Sequence, residues 1–326
     1  MGGNPSKPHI VPSSAQQVEV VTTAHFAPTL SPTSNVTGKH FDHVVQIFIG
    51  GPEGPKYPTL EASLKDPNLQ YLASQGVLLT NYHGVAHPLQ LNYAALLSGW
   101  NHTIGPTPAK DPSYNYGPDE RTIVDLLEAK GVSWSTYSEG LPYTGFLGDW
   151  HDTVDGSPTY EAKYNPLMHF KSVTQNPTRV SKMKNFTMFD EDMARDKLPQ
   201  WSFVTPNDLH SAHYIAEDKI PADFITTMGL WARGWLEPVL ADTHFNTNRT
   251  LILLTSDNQQ ETHEIQEPSY AVMLGGVMAE RKGQKDDREY NHYSLLTTVE
   301  DNWKLGNLGK DDADPTRAPL LPVMEW

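Results

Sequence analysis

Three histidines and one aspartate carry most of the chemistry this sequence can offer. His87 opens His87-Pro88-Leu89-Gln90-Leu91-Asn92-Tyr93, His213 closes Ser211-Ala212-His213, His292 stands in Asn291-His292-Tyr293-Ser294, and Asp257 follows the apolar run 251–255. An imidazole gains and loses its proton close to neutrality, so such a set suits general acid–base work on a bound molecule. Gln90, Asn92, Asn207 and Asn258 add hydrogen-bonding groups, Gly50 and Gly51 let the backbone approach a ligand, and Leu89, Leu91, Trp100 and Tyr143 supply apolar surface. Each also has a structural reading: a histidine can tie loops together, Asp257 can cap a turn, and aromatic side chains pack more often than they bind. With no cysteine in 326 residues, thiolate nucleophiles, disulfides and cysteine metal sites are excluded. His40 and His43 have no further ligand pair to complete a metal set, and Glu261-Thr262-His263-Glu264 has no second histidine at ligand spacing.

The elements that must position these residues alternate between strand and helix. Residues 44–49 are a continuous apolar run ending in glycines, as expected of a central strand covered on both faces. Residues 66–74 predict a helix closed by Gly76, 77–82 a strand, 92–97 a short helix stopped by Gly99, and 122–130 an amphipathic helix with Gly131 as its stop. Strands are expected at 132–137, 201–205, 251–255 and 270–274. Phe224, Met228, Trp231 and Trp235 fall at helical spacing, with Pro238 placed to kink or end that helix, and 295–305 predicts a closing helix. Residues 1–40, rich in Pro, Ser and Thr, form an extended or partly disordered arm ahead of one domain spanning 41–326. The fold class is α/β, a mostly parallel central sheet flanked by helices.

Residues 43–51 and 66–93, Asn185-Phe186-Thr187 with 201–207, the run 251–257 and the box Asn291-His292-Tyr293-Ser294 together resemble the secreted fungal acid phosphatases of the phosphoesterase family, relatives of bacterial phospholipase C. The resemblance covers most of the chain beyond residue 40 and implies an alkaline-phosphatase-like three-layer sandwich. It also implies a metal-dependent site, from which this sequence departs. Where the family places a glutamate and an asparagine, Gly50 and Gly51 stand; where it has its nucleophilic serine, Leu89 stands; its Asp-Glu is Asp257-Asn258, and near its Asp-Gly-His lies Ser211-Ala212-His213. Hard cations need carboxylate oxygens, so no metal and no cofactor is expected here.

Ligands of open α/β sheets bind beyond the carboxyl ends of the strands, where these altered positions fall. The aromatic supply in residues 138–164 is placed to roof that pocket. A net charge of −15 without a basic cluster argues against nucleic acid as a partner, and no window is long and apolar enough for a membrane span. Sequence carries no signal of oligomeric state. Four sequons, at Asn35, Asn101, Asn185 and Asn248, fit a secreted glycoprotein, while the polar opening lacks a signal peptide. The expectation is a cytoplasmic protein of secreted ancestry, beside a mature form whose signal has been removed. For function, the leucines predict a phosphatase fold repurposed to act without metal on an apolar small molecule, by isomerisation, elimination or cyclisation, as of a polyketide or terpenoid intermediate. His87, His213, His292 and Asp257 are the catalytic candidates. Two alternatives stand beside it: a residual phosphoesterase, with Glu53 replacing the lost glutamate, and a pseudophosphatase that binds without turnover.

Overall fold

A computed structural model describes residues 29–50, 59–86, 89–100, 116–151, 158–207, 210, 224–256 and 267–323. The first half of the chain contributes β1 (His43–Ile49), α1 (Leu60–Ser63), α2 (Pro67–Ser74), β2 (Val77–Leu79), β3 (Tyr82–His83), α3 (Leu89–Ser98), α4 (Ile123–Lys130) and β4 (Trp134–Ser138). After them come β5 (Trp150–His151), β6 (Pro158–Tyr160), α5 (Lys171–Thr174), α6 (Pro177–Val180), β7 (Met183–Asn185), α7 (Phe186–Ala194) and β8 (Trp201–Thr205). The chain closes with α8 (Phe224–Ala241), β9 (Thr250–Ser256), β10 (Ala271–Leu274), β11 (Gln284–Asp286), β12 (Tyr290–Asn291) and α9 (His292–Trp303).

Eight strands form one sheet in the order β11-β2-β10-β9-β1-β8-β4-β7. All its pairings are parallel except those of β10, which runs against both β9 and β2. β1 and β9 are in register along their whole length and end together, Ile49 opposite Ser256. Alternation along β1 divides the core. Val44 and Phe48 face a layer that includes α3, α4 and α9, while Val45, Ile47 and Ile49 face α2, α7 and α8. Every residue of β9 and all of β1 beyond His43 are buried, because both faces of a parallel sheet are covered. This is the α/β sandwich anticipated above.

Local chemistry sets the helix starts. Asp66 caps α2 by accepting from the Asn68 and Leu69 amides, with Pro67 at the first turn. Asn291 and Ser294 form a reciprocal capping box, so α9 begins at His292, three residues ahead of the predicted start. α3 also begins three residues early, because Leu89, Gln90 and Leu91 favour helix and join its first turn. Pro238 does not end α8, which runs on to Ala241. Leu236 and Val239 are buried against the sheet on either side of it, and Gly234, whose carbonyl a proline at 238 leaves without a helical donor, has open space around it. Residues 29–40 lie against the domain: Ser31 is buried, its amide and hydroxyl both donating to Asp192, and Gln200 accepts from Ser34 and the Val36 amide. No described helix is long and apolar enough to cross a membrane.

Candidate active site

The parallel strands bring β1, β9, β8 and β4 to one carboxyl edge, and Phe48, the second-last residue of β1, organises the side of it that faces α3 and α9. Its ring meets Tyr93 of α3 at 5.2 Å and His292 of α9 at 5.1 Å. His292 is fully buried, and its Nδ1 lies 2.7 Å from the Tyr82 hydroxyl. The capping box fixes the backbone of that histidine, β12 pairs with β3 beside it, and Tyr82 fixes the ring. Gly50, the first residue beyond β1, is buried at the same edge. The structure thus sets Tyr93 of α3 and His292 of α9 against Phe48, two residues before Gly50.

Other expected ligand contacts are used elsewhere. Asn92 is wholly buried and clamps the preceding loop: its Oδ1 accepts from the amides of Val85 and Ala86 at 3.0 and 2.9 Å, and its Nδ2 donates to the Ala86 carbonyl at 2.8 Å. That makes it a loop clamp where a substrate contact was expected. Leu89 is 2% exposed and belongs to the core with Phe48 and Tyr93, while Gln90 and Leu91 are buried on the same helix. These side chains fill protein interior instead of facing an open cavity. Trp100 follows the far end of α3, about 15 Å from its start by helical rise, where Lys310 lies over its ring. Tyr143 packs with Phe146, and with Leu141, Trp150 and Tyr160 forms a satellite cluster in which burial pushes the Tyr143 hydroxyl up. The expected aromatic roof is thus bound up in its own cluster. His87, Gly51, His213, Asp257, Asn258 and Glu53 lie outside the described residues.

One arrangement escaped the sequence reading. Glu139, the residue after β4, holds His210 through a 2.8 Å contact from Oε2 to Nδ1 and accepts the Asn207 amide at 3.0 Å. Asn207 Oδ1 in turn accepts the His210 amide. Asn207 thus orders the turn after β8. Glu139 and His210 are 71 residues apart, so no local periodicity marks the pair. The available signal was that both follow predicted strands that parallel pairing brings side by side.

The metal-dependent site implied by the family resemblance is not matched by the residues described. Gly50 has no side chain, Leu89 offers hydrocarbon, and among the described residues no group of three or more His, Asp or Glu side chains could hold a metal ion.

The Phosphoesterase family model matches residues 63–263. An acid phosphatase of Aspergillus fumigatus is 40% identical over 286 residues, covering 86% of this chain and 59% of that protein. A probable acid phosphatase of Kluyveromyces lactis is 36% identical over 298 residues, covering 91% of this chain and 66% of its own length. The chain thus spans less than two thirds of either relative. Among solved structures, a protein in the alkaline phosphatase superfamily from Vibrio parahaemolyticus superposes with a TM-score of 0.51 at 16% identity, covering 90% of this chain and 76% of that one, a likeness of fold. These relatives correct the functional expectation. Proteins so similar over most of this chain are named acid phosphatases, which overturns the isomerase or cyclase reading.

Proposed function

The chain belongs to the phosphoesterase family, and from that premise we propose that it hydrolyses a phosphate ester at the carboxyl edge of β1, β8 and β4. The observation that carries this reading is the 40% identity to an acid phosphatase across 86% of the chain. Hydrolysis at this edge departs from the family pattern at the nucleophile. Leu89 cannot form the covalent phosphoryl intermediate that a serine there would form, so water attacks phosphorus directly. The protein then contributes by holding the ester and stabilising charge on its oxygens, which is most of what phosphoryl transfer asks of an enzyme. His292, fully buried and fixed by Tyr82 and the capping box, supports the β1 end of that edge from behind.

The test is release of inorganic phosphate from p-nitrophenyl phosphate by the purified chain at mildly acidic pH. The expected result is phosphate formed in step with p-nitrophenol. A second reading has its own support in Leu89 and Gly50: a pseudophosphatase that binds the ester and leaves it intact. Saturable binding of inorganic phosphate in a calorimetric titration, with no turnover of the ester, would select that reading.

A further inference from the structure

The pair Glu139–His210 lies on the same edge as Gly50, in a place where the fold has fixed both side chains and left one atom unspent. β4 and β8 end together, with Ser138 opposite Thr205 and their hydroxyls 3.0 Å apart. One residue further, the Glu139 amide donates to the Thr205 carbonyl at 3.0 Å. Gly140 then turns the chain at φ +77°, where a Cβ would fall 2.3 Å from the Thr159 carbonyl oxygen, so only glycine fits. The Glu139 carboxylate is aimed by this turn and held by the Asn207 amide. His210 rests on Trp231 of α8, ring centroids 5.9 Å apart and 26° from parallel, and Trp231 stacks on Trp235 at 6.3 Å. The imidazole is thus gripped through Nδ1 and one ring face. Its Nε2 has no hydrogen-bond partner among the described residues.

We propose that His210 is the general acid of the hydrolysis and Glu139 its positioning residue. This rests on the phosphoesterase reading above. Glu139 accepts the Nδ1 proton, fixes the ring and supports the charge of the imidazolium. Nε2–H faces the ester oxygen of a substrate bound beyond β1 and β8. β4 is two strands from β1, or about 10 Å at ordinary strand spacing, within the span of a bound ester. As the phosphorus–oxygen ester bond breaks, both its electrons stay on the leaving oxygen, which takes the Nε2 proton and departs as an alcohol. Water forms the new bond to phosphorus and releases a proton to solvent, and His210 is reprotonated from solvent. A bridge that served only to hold residues 207–210 against β4 would need nothing from Nε2, and this difference makes the proposal testable.

A general acid matters most when the leaving group is a poor one. The experiment compares p-nitrophenyl phosphate, whose phenolate leaves unaided, with β-glycerophosphate, whose alkoxide does not, in wild type, His210→Asn and Glu139→Gln. We expect His210→Asn to lower kcat on β-glycerophosphate by roughly 10² to 10⁴-fold and on p-nitrophenyl phosphate by less than about tenfold. Glu139→Gln should give a smaller loss of the same selectivity with KM unchanged. Equal losses on the two esters, or none, overturn the dyad while leaving the phosphoesterase reading intact. Failure of the wild type to turn over either ester overturns both. The wild type also reports without mutation, since across a series of aryl phosphates protonated departure makes kcat/KM depend only weakly on the leaving group. A steep dependence would exclude the general acid even if the variants failed to fold.

Discussion

Replacing Glu300 with glutamine should alter how the protein's stability depends on pH. Glu300 lies eight residues into α9 and is 5% exposed. Burial, and after it the charge and hydrogen bond of Asp312, push its carboxyl up to about 9 from the ordinary 4.5. Asp312 is itself buried and accepts the amides of Leu308 and Lys310, while Lys310 pairs with Glu120, and among the described residues no cation pairs with Glu300. The folded protein therefore keeps a proton that the unfolded chain has lost throughout the window from 4.5 to about 9. A carboxyl raised in this way favours the fold at low pH, and that contribution is lost as pH rises through the window. At about 1.4 kcal/mol per pH unit, the loss between pH 4.5 and neutrality is about 3 kcal/mol, a large share of an ordinary folding free energy. Glutamine keeps the shape and gives Asp312 a permanent N–H donor. Urea unfolding followed by tryptophan fluorescence at about pH 5 and pH 7.5 should show near-equal stability at the lower pH and Glu300→Gln the more stable at the higher. Parallel pH curves for the two proteins would refute a protonated Glu300 and the buried pair with it.

Other perturbations follow from contacts described above. Asn92→Ala removes three hydrogen bonds from the loop before α3 and should cost about 2–3 kcal/mol in chemical denaturation. Asp192→Asn leaves Lys184 buried without its carboxylate, although burial already lowers that lysine, and also weakens the Ser31 and Tyr137 contacts. A loss of about 3 kcal/mol or more is expected, read as a lower urea midpoint. Tyr82→Phe removes the hydrogen bond to the buried His292 ring and should cost about 1 kcal/mol in a urea melt. Leu89→Ser should not create turnover by a serine nucleophile, and exchanging a core leucine for a hydroxyl should cost roughly 2–4 kcal/mol in a thermal or urea melt.

Much of the fold was legible because its signals are local. The apolar run ending at Ile49 gave a doubly covered strand, Asp66-Pro67 marked the start of α2, and Gly131, at φ +74°, ended α4. The misplaced boundaries were settled by tertiary packing or by caps. α8 passes Pro238 because its buried face holds it, and α9 starts at His292 because Asn291 and Ser294 share their hydrogen bonds. Side-chain roles at the carboxyl edge were not legible. Asn92 looked like a ligand contact because an amide side chain near a histidine suits recognition, and only three dimensions show that loop amides consume it. Glu139 and His210 were not singled out, since neither belongs to a motif and their contact spans 71 residues. The leucines misled in a different way. They do show that position 89 carries no nucleophile, but Leu89 packs into the core and so says little about what the edge binds.

The two faces of the carboxyl edge also differ in what they can offer a charged ligand. Toward α3 and α9, His292, Asn92 and Leu89 are all buried, and Phe48 and Tyr93 fill the space among them. A phosphate ester entering there would shed its water against hydrocarbon, a cost of several kcal/mol for an unpaired charge. Toward α8 the described surface is different: the side chains of Glu139 and His210 are 21% and 30% exposed, and the imidazole Nε2 has no hydrogen-bond partner among the described residues. A dianion that keeps part of its hydration can reach that side without burying charge. The Glu139 carboxylate would repel it there were His210 not interposed with Nδ1 toward the carboxylate and Nε2 away from it. The same geometry that makes His210 a proton donor therefore also screens the ligand from the nearest negative charge. Removing the imidazole while keeping Glu139 should consequently weaken phosphate binding more than removing both, and a calorimetric comparison of His210→Ala with the His210→Ala/Glu139→Ala double variant would show whether it does.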